Sequence, residues 1–205
     1  MASLLSYALT TLSDVKESLG IASSDTTKDN LIIRKINQAT KAIENYCGRR
    51  FAATVYTQIE YSATQIDELV LRQRPVVSFT SLEIRDSGLN YDNWETVDSH
   101  LYFVDDSAGI LKLMFNASGR WNRYRVTYIG GYTTIPEDLA EACASLACYY
   151  VQNADGSDVG VAVKKEGQRE LRYANGSINF DTISENLGIN ETLNTYANFP
   201  IMTDR

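Results

Sequence analysis

His100 is the only histidine in the chain, so a Ser–His–Asp triad or a multi-histidine metal centre would have to be built around it. It lies in Asp98-Ser99-His100-Leu101, at the start of a strand-like stretch with no catalytic motif nearby, and reads as a surface or turn residue. A small hydrolase using His100 as its general base is therefore the least supported of the functional readings. Asp105, Asp106 and Ser107 offer oxygens of the kind Ca²⁺ takes, about six to eight at a time. No Glu follows at calcium-loop spacing, so the stretch reads as a hairpin turn. Glu137, Asp138 and Glu141 resemble paired carboxylates, but acids at the positive end of a helix dipole explain them better. Gly130-Gly131 lacks the third glycine or the Lys-Ser/Thr of a phosphate loop. Arg49-Arg50 follow a helix, where cations complement the negative end of the dipole without implying a phosphate site. No residue is assigned as catalytic, cofactor-binding or metal-ligating; the chain is expected not to be an enzyme and to need no cofactor.

Cys47, Cys143 and Cys148 all fall in apolar, helical-looking stretches, where a free cysteine behaves as a small hydrophobe. Cys143 and Cys148 are five residues apart and so lie on different helix faces, which gives neither a metal site nor a disulfide framework. A reducing cytoplasm is the expected compartment, and the sequons at Asn116, Asn175 and Asn190 are then fortuitous. Met1 to Thr10 has an apolar patch but neither a basic flank nor a cleavage site, and is expected to be unsecreted, mature sequence.

The elements that must carry these residues follow from the hydrophobic period. The chain has 205 residues, 44% hydrophobic and 22% charged, enough for one generous domain or a helical domain with a β insert. No apolar run approaches the roughly 20 residues that span a bilayer. The net charge of −7 argues against wrapping nucleic acid, since non-specific affinity comes from Lys and Arg on phosphates. It suits a surface that DNA must pass without sticking, and equally suits simple solubility.

A first helix is predicted from about Ser13 to Leu19, capped by Thr11 or Ser13 and closed by Gly20 at C′. A second runs from Thr27 to Cys47 on the stripe Ile32, Ile36, Ala39, Ile43 and Tyr46–Cys47, and stops at Gly48. From Phe51 to Tyr132 the period is two, giving an antiparallel subdomain of about five or six strands. Helical period returns at Pro136, placed at N1, with Leu139, Ala142, Cys143, Leu146 and Tyr149–Tyr150 expected as the buried stripe. Gly160 to Tyr173 is expected as an extended arm or a hairpin around Glu166-Gly167, and a last short helix from Asn190 to Tyr196. The 13 tyrosines mostly alternate along strands or sit on helix stripes, so core packing outweighs base stacking.

The order of elements, with three segments, resembles the connector, adaptor or head completion proteins of tailed bacteriophages. The first segment is Leu12-Ser13-Asp14-Val15-Lys16 through Leu19-Gly20-Ile21, then Ile43-Glu44-Asn45-Tyr46-Cys47-Gly48-Arg49-Arg50-Phe51. The second, and most specific, is Trp121 with Val126-Thr127-Tyr128-Ile129-Gly130-Gly131-Tyr132, then Ile135-Pro136-Glu137-Asp138-Leu139 and Ala142. The third is Val163-Lys164-Lys165-Glu166-Gly167 to Leu171-Arg172-Tyr173, then Leu193 to Ile201.

The resemblance implies an α+β fold: a small helical bundle with an antiparallel β insert and an extended C-terminal arm ending in a short helix. The spans would be 1–50 (N-terminal helices), 51–132 (β insert), 133–156 (third helix) and 157–205 (arm). It further implies a virion neck protein, assembled in the bacterial cytoplasm, forming a ring of about twelve copies below the portal. The portal lies above, a stopper or tail-completion protein below, and DNA passes through the lumen without specific binding; no membrane is involved. The arm of similar proteins reaches the portal, which carries over to Leu193, Tyr196, Phe199, Pro200 and Ile201, residues that could equally cover the subunit's own core. A different reading is a ligand- or glycan-binding module in which Tyr91, Trp94 and Trp121 form an aromatic platform on the β insert.

Overall fold

The computed structural model describes residues 2–62, 66–85, 94–115, 122–154, 163–166, 169–172 and 180–197. In chain order the elements begin with α1 (Leu12–Ser18), α2 (Asp29–Cys47), β1 (Thr54–Ser62), β2 (Glu68–Val70), β3 (Val76–Arg85) and β4 (Glu95–Thr96). They continue with β5 (Tyr102–Asp105), β6 (Ile110–Leu113), β7 (Asn122–Gly130), α3 (Glu137–Gln152), β8 (Val163–Glu166), β9 (Arg169–Arg172), α4 (Phe180–Asn186) and α5 (Asn190–Tyr196). The fold is α+β. Two compact units divide the chain: a helical unit of Met1–Gly48 with Pro136–Arg205, and a β unit of Arg49–Ile135.

In the helical unit, α2 and α3 pack together, with α1 against both and α5 laid on both. The stripe of α2 at Ile32, Ile36, Ala39, Ile43 and Cys47 is fully buried, as are Leu139, Cys143 and Leu146 of α3. Thr11 caps α1 in a capping box with Asp14, and Gly20 (φ 67°) and Gly48 (φ 64°) take the left-handed conformation that ends α1 and α2. Two helix starts differ from the sequence expectation, and the burial of Lys16 has no counterpart in it. Pro136 is the N-cap of α3 rather than N1, with extended backbone (ψ 139°). No side chain caps α2, whose N-cap is Lys28. Lys16 is buried: its Nζ lies 2.5 Å from Asp29 Oδ1 and donates to the carbonyl of Asp25 at 2.9 Å, clamping α1 and the following loop to the start of α2. The sequence reading has no counterpart of α4; Ile183 is its main apolar anchor, and Gly188 (φ 70°) turns the chain into α5. Strands β8 and β9 pair antiparallel, the second of the two forms, extended arm or hairpin, expected over Gly160 to Tyr173.

Among the described residues, the β unit holds seven strands in two antiparallel sheets, ordered β1-β7-β3-β4 and β2-β6-β5, where the sequence reading expected about five or six strands. Tyr124, Val126 and Tyr128 of β7, with Leu82 and Leu111, form the core. Period two makes this possible, since every second residue of β7 faces inward. Gln58 on β1 is buried yet saturated: its amide donates to Val70 O at 2.9 Å, and its carbonyl accepts from Arg72 N at 3.0 Å. That polar bridge ties the first sheet to the end of β2.

The Gly-Gly-Tyr turn closes the unit. The Tyr132 N–H donates to Phe51 O at 2.6 Å, and the Ala53 N–H donates to Tyr132 O at 3.0 Å, so the entering and leaving strands lie side by side. A Cβ on Gly131 would sit 2.6 Å from Phe51 O, at a backbone φ of 116°; one on Gly130 would meet Gln73 at 2.8 Å. Glycine is required at 131 twice over, by conformation and by space. Gly131→Ala is therefore expected to cost about 3 kcal/mol, read as a fall in the thermal or denaturant midpoint. A change within measurement error would show that the crossing does not constrain the unit.

Candidate interaction surfaces

The residues with a capacity for chemistry resolve into structure. The His100 Nδ1 lies 2.7 Å from Asp98 Oδ1, which also accepts from the His100 backbone N–H at 3.0 Å. This is the Asp–His half of a triad in distance only. Both side chains are open to solvent, 90% and 67% exposed, with Asp98 capping the short 3₁₀ turn at 99–101 that carries His100. The hydrogen bond and charge of Asp98 raise the His100 pKa above its ordinary value, and the same bond lowers that of Asp98. The imidazolium form of the pair is thus stabilising below the ordinary histidine value and is lost as pH rises through the raised one. Asp105 accepts from Ser107 Oγ at 2.8 Å and Ala108 N at 3.0 Å, the bonds of a hairpin turn between β5 and β6. Among the described residues, no three His, Cys, Asp or Glu side chains converge as a metal site, and no helix is long and apolar enough to cross a membrane. Burial pushes the Cys143 thiol up to about 12, against a partly opposing contact with Thr40, so it is a packing group and not a nucleophile.

Two surfaces stand out instead. In the helical unit, α4 and α5 are fastened by side chains that mostly come from the end of α2. The Tyr46 hydroxyl lies 2.9 Å from Asn190 Oδ1 and 2.8 Å from Asn194 Oδ1. One phenolic proton serves one of these carbonyls; a flipped amide on the other supplies its own donor. Cys47 Sγ contacts Leu193 O at 3.6 Å, and the Tyr196 hydroxyl donates to the Asp138 carboxylate at 2.8 Å. Leu193 itself is fully buried. The Tyr46 ring stands 5.1 Å from Phe180, and beside them a shallow open depression of about 340 Å³ is lined by Ala42, Asn45, Tyr46, Phe180 and Asp181. Of the tail residues singled out from the sequence, Leu193 and Tyr196 therefore lie in this clasp. Phe199, Pro200 and Ile201 fall outside the described residues, as do Tyr91 and Trp121.

In the β unit, the outward face of the four-stranded sheet carries arginines and aromatics in register. Ile59 on β1 is opposite Arg125 on β7, which is opposite Glu83 on β3; Tyr61, Arg123 and Arg85 form the next row. Arg125 donates to both Glu83 oxygens at 2.6 Å and lies 4.4 Å from the Trp94 ring centroid. Those hydrogen bonds hold the Glu83 carboxyl below its usual range, against the opposing effect of burial. Arg123 stands 5.0 Å over Tyr61. Trp94, expected as an exposed platform, is thus half of a stacked ion-pair cluster. The sequence could not show this, because the pairing of β3 with β7 across a long connection is not written in local period.

The described residues thus offer two exposed surfaces on a two-unit α+β scaffold rather than a converged metal or catalytic centre. A family model described as head completion protein matches residues 8–161, and the chain belongs to that family. The match stops short of β8 and of the clasp helices. Solved structures share the fold over nearly the whole chain. The chain is similar to one in the neck of an empty gene transfer agent (GTA) particle computed with C6 symmetry, at 13% identity and a TM-score of 0.58, covering 99% of this chain and 96% of that one. A chain of the native GTA virion aligns at 14% identity and TM-score 0.57, covering 98% and 96%. A chain of the native GTA neck computed with C12 symmetry aligns at 14% identity and TM-score 0.55, covering 100% and 99%. No curated protein matches the sequence.

Two measurements test this geometry. In an NMR titration, His100 is expected to titrate above the ordinary histidine value, and Asp98→Asn to bring it down; an unshifted midpoint in both would refute the pair. Tyr46→Phe removes the shared hydroxyl at a cost of about 1 kcal/mol. Amide exchange should then accelerate in α5 while the β unit is unaffected; unchanged α5 protection would mean that the clasp rests on buried Leu193, Cys47 and the Tyr196–Asp138 bond instead.

Proposed function

We propose that the protein is a structural component of a phage-like virion neck, present as a ring of copies, twelve by preference, that extends the portal channel toward a stopper or tail-completion protein. The membership of residues 8–161 in the head completion family carries this reading. The likeness to chains solved in GTA necks under six- and twelve-fold symmetry supports it through the fold. No catalytic step, metal or cofactor is assigned. With a net charge of −7, the ring would let DNA pass by like-charge repulsion rather than hold it.

In this reading the portal contact falls to Phe199, Pro200 and Ile201, apolar residues that follow directly on α5. Leu193 and Tyr196 fix the root from which they leave. A cut at residue 190 would be a poor test, because it also removes the buried Leu193. A cut after Ala197 spares the clasp.

Mixed with the portal protein of the same genome, the full chain is expected to form a collar on the narrow end, visible by electron microscopy. The chain ending at Ala197 should keep its unfolding midpoint and lose the collar. A chain that never binds the portal would sink the neck reading; a truncated chain that still binds would move the contact elsewhere.

A further inference from the structure

The charge is divided unevenly. The β unit, 49–135, holds nine Lys and Arg against ten Asp and Glu; the rest of the chain holds ten against sixteen. Within the helical unit the imbalance is sharpest over α3, α4 and α5. These helices carry Glu137, Asp138, Glu141, Asp181, Glu185 and Glu191, all exposed, and no Lys or Arg. The outward face of the β unit has the opposite balance: Arg85, Arg123 and Arg125 against Glu83, with Trp94 and Tyr61 stacked beneath the guanidinium groups.

That face is also built like an interface. It ends on β1, which pairs with β7 on one side only among the described strands. Val55 and Tyr61 are 64% and 67% exposed there. Arg, Tyr and Trp are the residues most enriched in the energetic centres of protein contacts. The stacking and the Glu83 ion pair hold the guanidinium groups in fixed positions, so little side-chain entropy remains to be lost on docking.

We propose that the arginine–aromatic face of one copy docks the acidic α3–α5 surface of a second copy. This rests on the ring reading and names the contact that would build the ring. The two surfaces differ, so the contact is head-to-tail, the kind that closes a ring when each step turns by an equal fraction of a circle. DNA is the poorer occupant: the face carries its own carboxylate, on a chain of net charge −7. A second copy brings the complementary charge on rigid helices.

The test uses the full chain in the portal-bound collar, with Tyr61 replaced by photoreactive benzoylphenylalanine. Irradiation should give covalent dimers and higher ladders, linked to peptides containing 137–141 or 181–191. Self-links confined to other peptides, links only to DNA or another protein, or no links in an intact collar would overturn the proposal while leaving the neck reading standing. A chain that forms no collar at all overturns both. Charge reversal gives an independent readout: Arg123→Glu or Glu185→Lys alone should weaken copy-to-copy association about tenfold, and the two combined should restore much of it. Equal losses in single and combined variants, each with unchanged unfolding midpoints, would count against direct pairing.

Discussion

The structure depends on one close backbone crossing. Tyr132 is hydrogen-bonded to both Phe51 and Ala53 where the chain enters and leaves the β unit, and the approach is possible because Gly131 has no side chain to separate the strands. An insert of this size can interrupt a helical unit only if its two ends return to the same place; otherwise α2 and α3 could not pack along their buried stripes. The crossing meets that condition from inside the β unit. The Gly-Gly-Tyr sequence that carries the family resemblance is thus a steric device, and its specificity comes from contacts a Cβ would make impossible.

Either unit pairs a rigid apolar interior with one surface that is chemically out of balance. In the helical unit, α4 and α5 are held by Tyr46, Cys47 and Asp138, and bring Asp181, Glu185 and Glu191 to the surface with no Lys or Arg of their own. In the β unit, strand register alone aligns Ile59, Arg125 and Glu83 in one row. Both surfaces are organised by the core behind them. The side chains with a capacity for chemistry serve the fold locally instead. Asp98 and Asp105 shape turns, Cys143 fills space, and Pro136 starts a helix.

Much of the fold was legible in the sequence where the signal is local. The stripe of α2, the Thr11 cap, the terminating Gly20 and Gly48, and the pairing of β8 with β9 are all short-range patterns, and each has its expected place. What failed needed long-range information. No local pattern points to the burial of Lys16, which follows only once Asp29 and the Asp25 carbonyl are brought to it. Trp94 reads as an exposed platform until β7 delivers Arg125. The division into two sheets depends on register, which period two leaves open. α4 had a readable signal in Phe180, Ile183 and Leu187 ahead of Gly188, but seven residues give too few turns for a stripe to stand out from a polar stretch.

The interruption of the helical unit also orders events during synthesis. The β unit is one continuous stretch, complete before α3 leaves the ribosome, whereas the helical unit needs Leu193 to close over α2 and α3. Domains generally fold as units while the chain emerges. A nascent chain would thus display its arginine face early and its acidic face only once α5 is in place. Neighbouring nascent chains on one message would then lack half of any mutual contact, and growth into aggregates at the site of translation would be held back until each chain is finished.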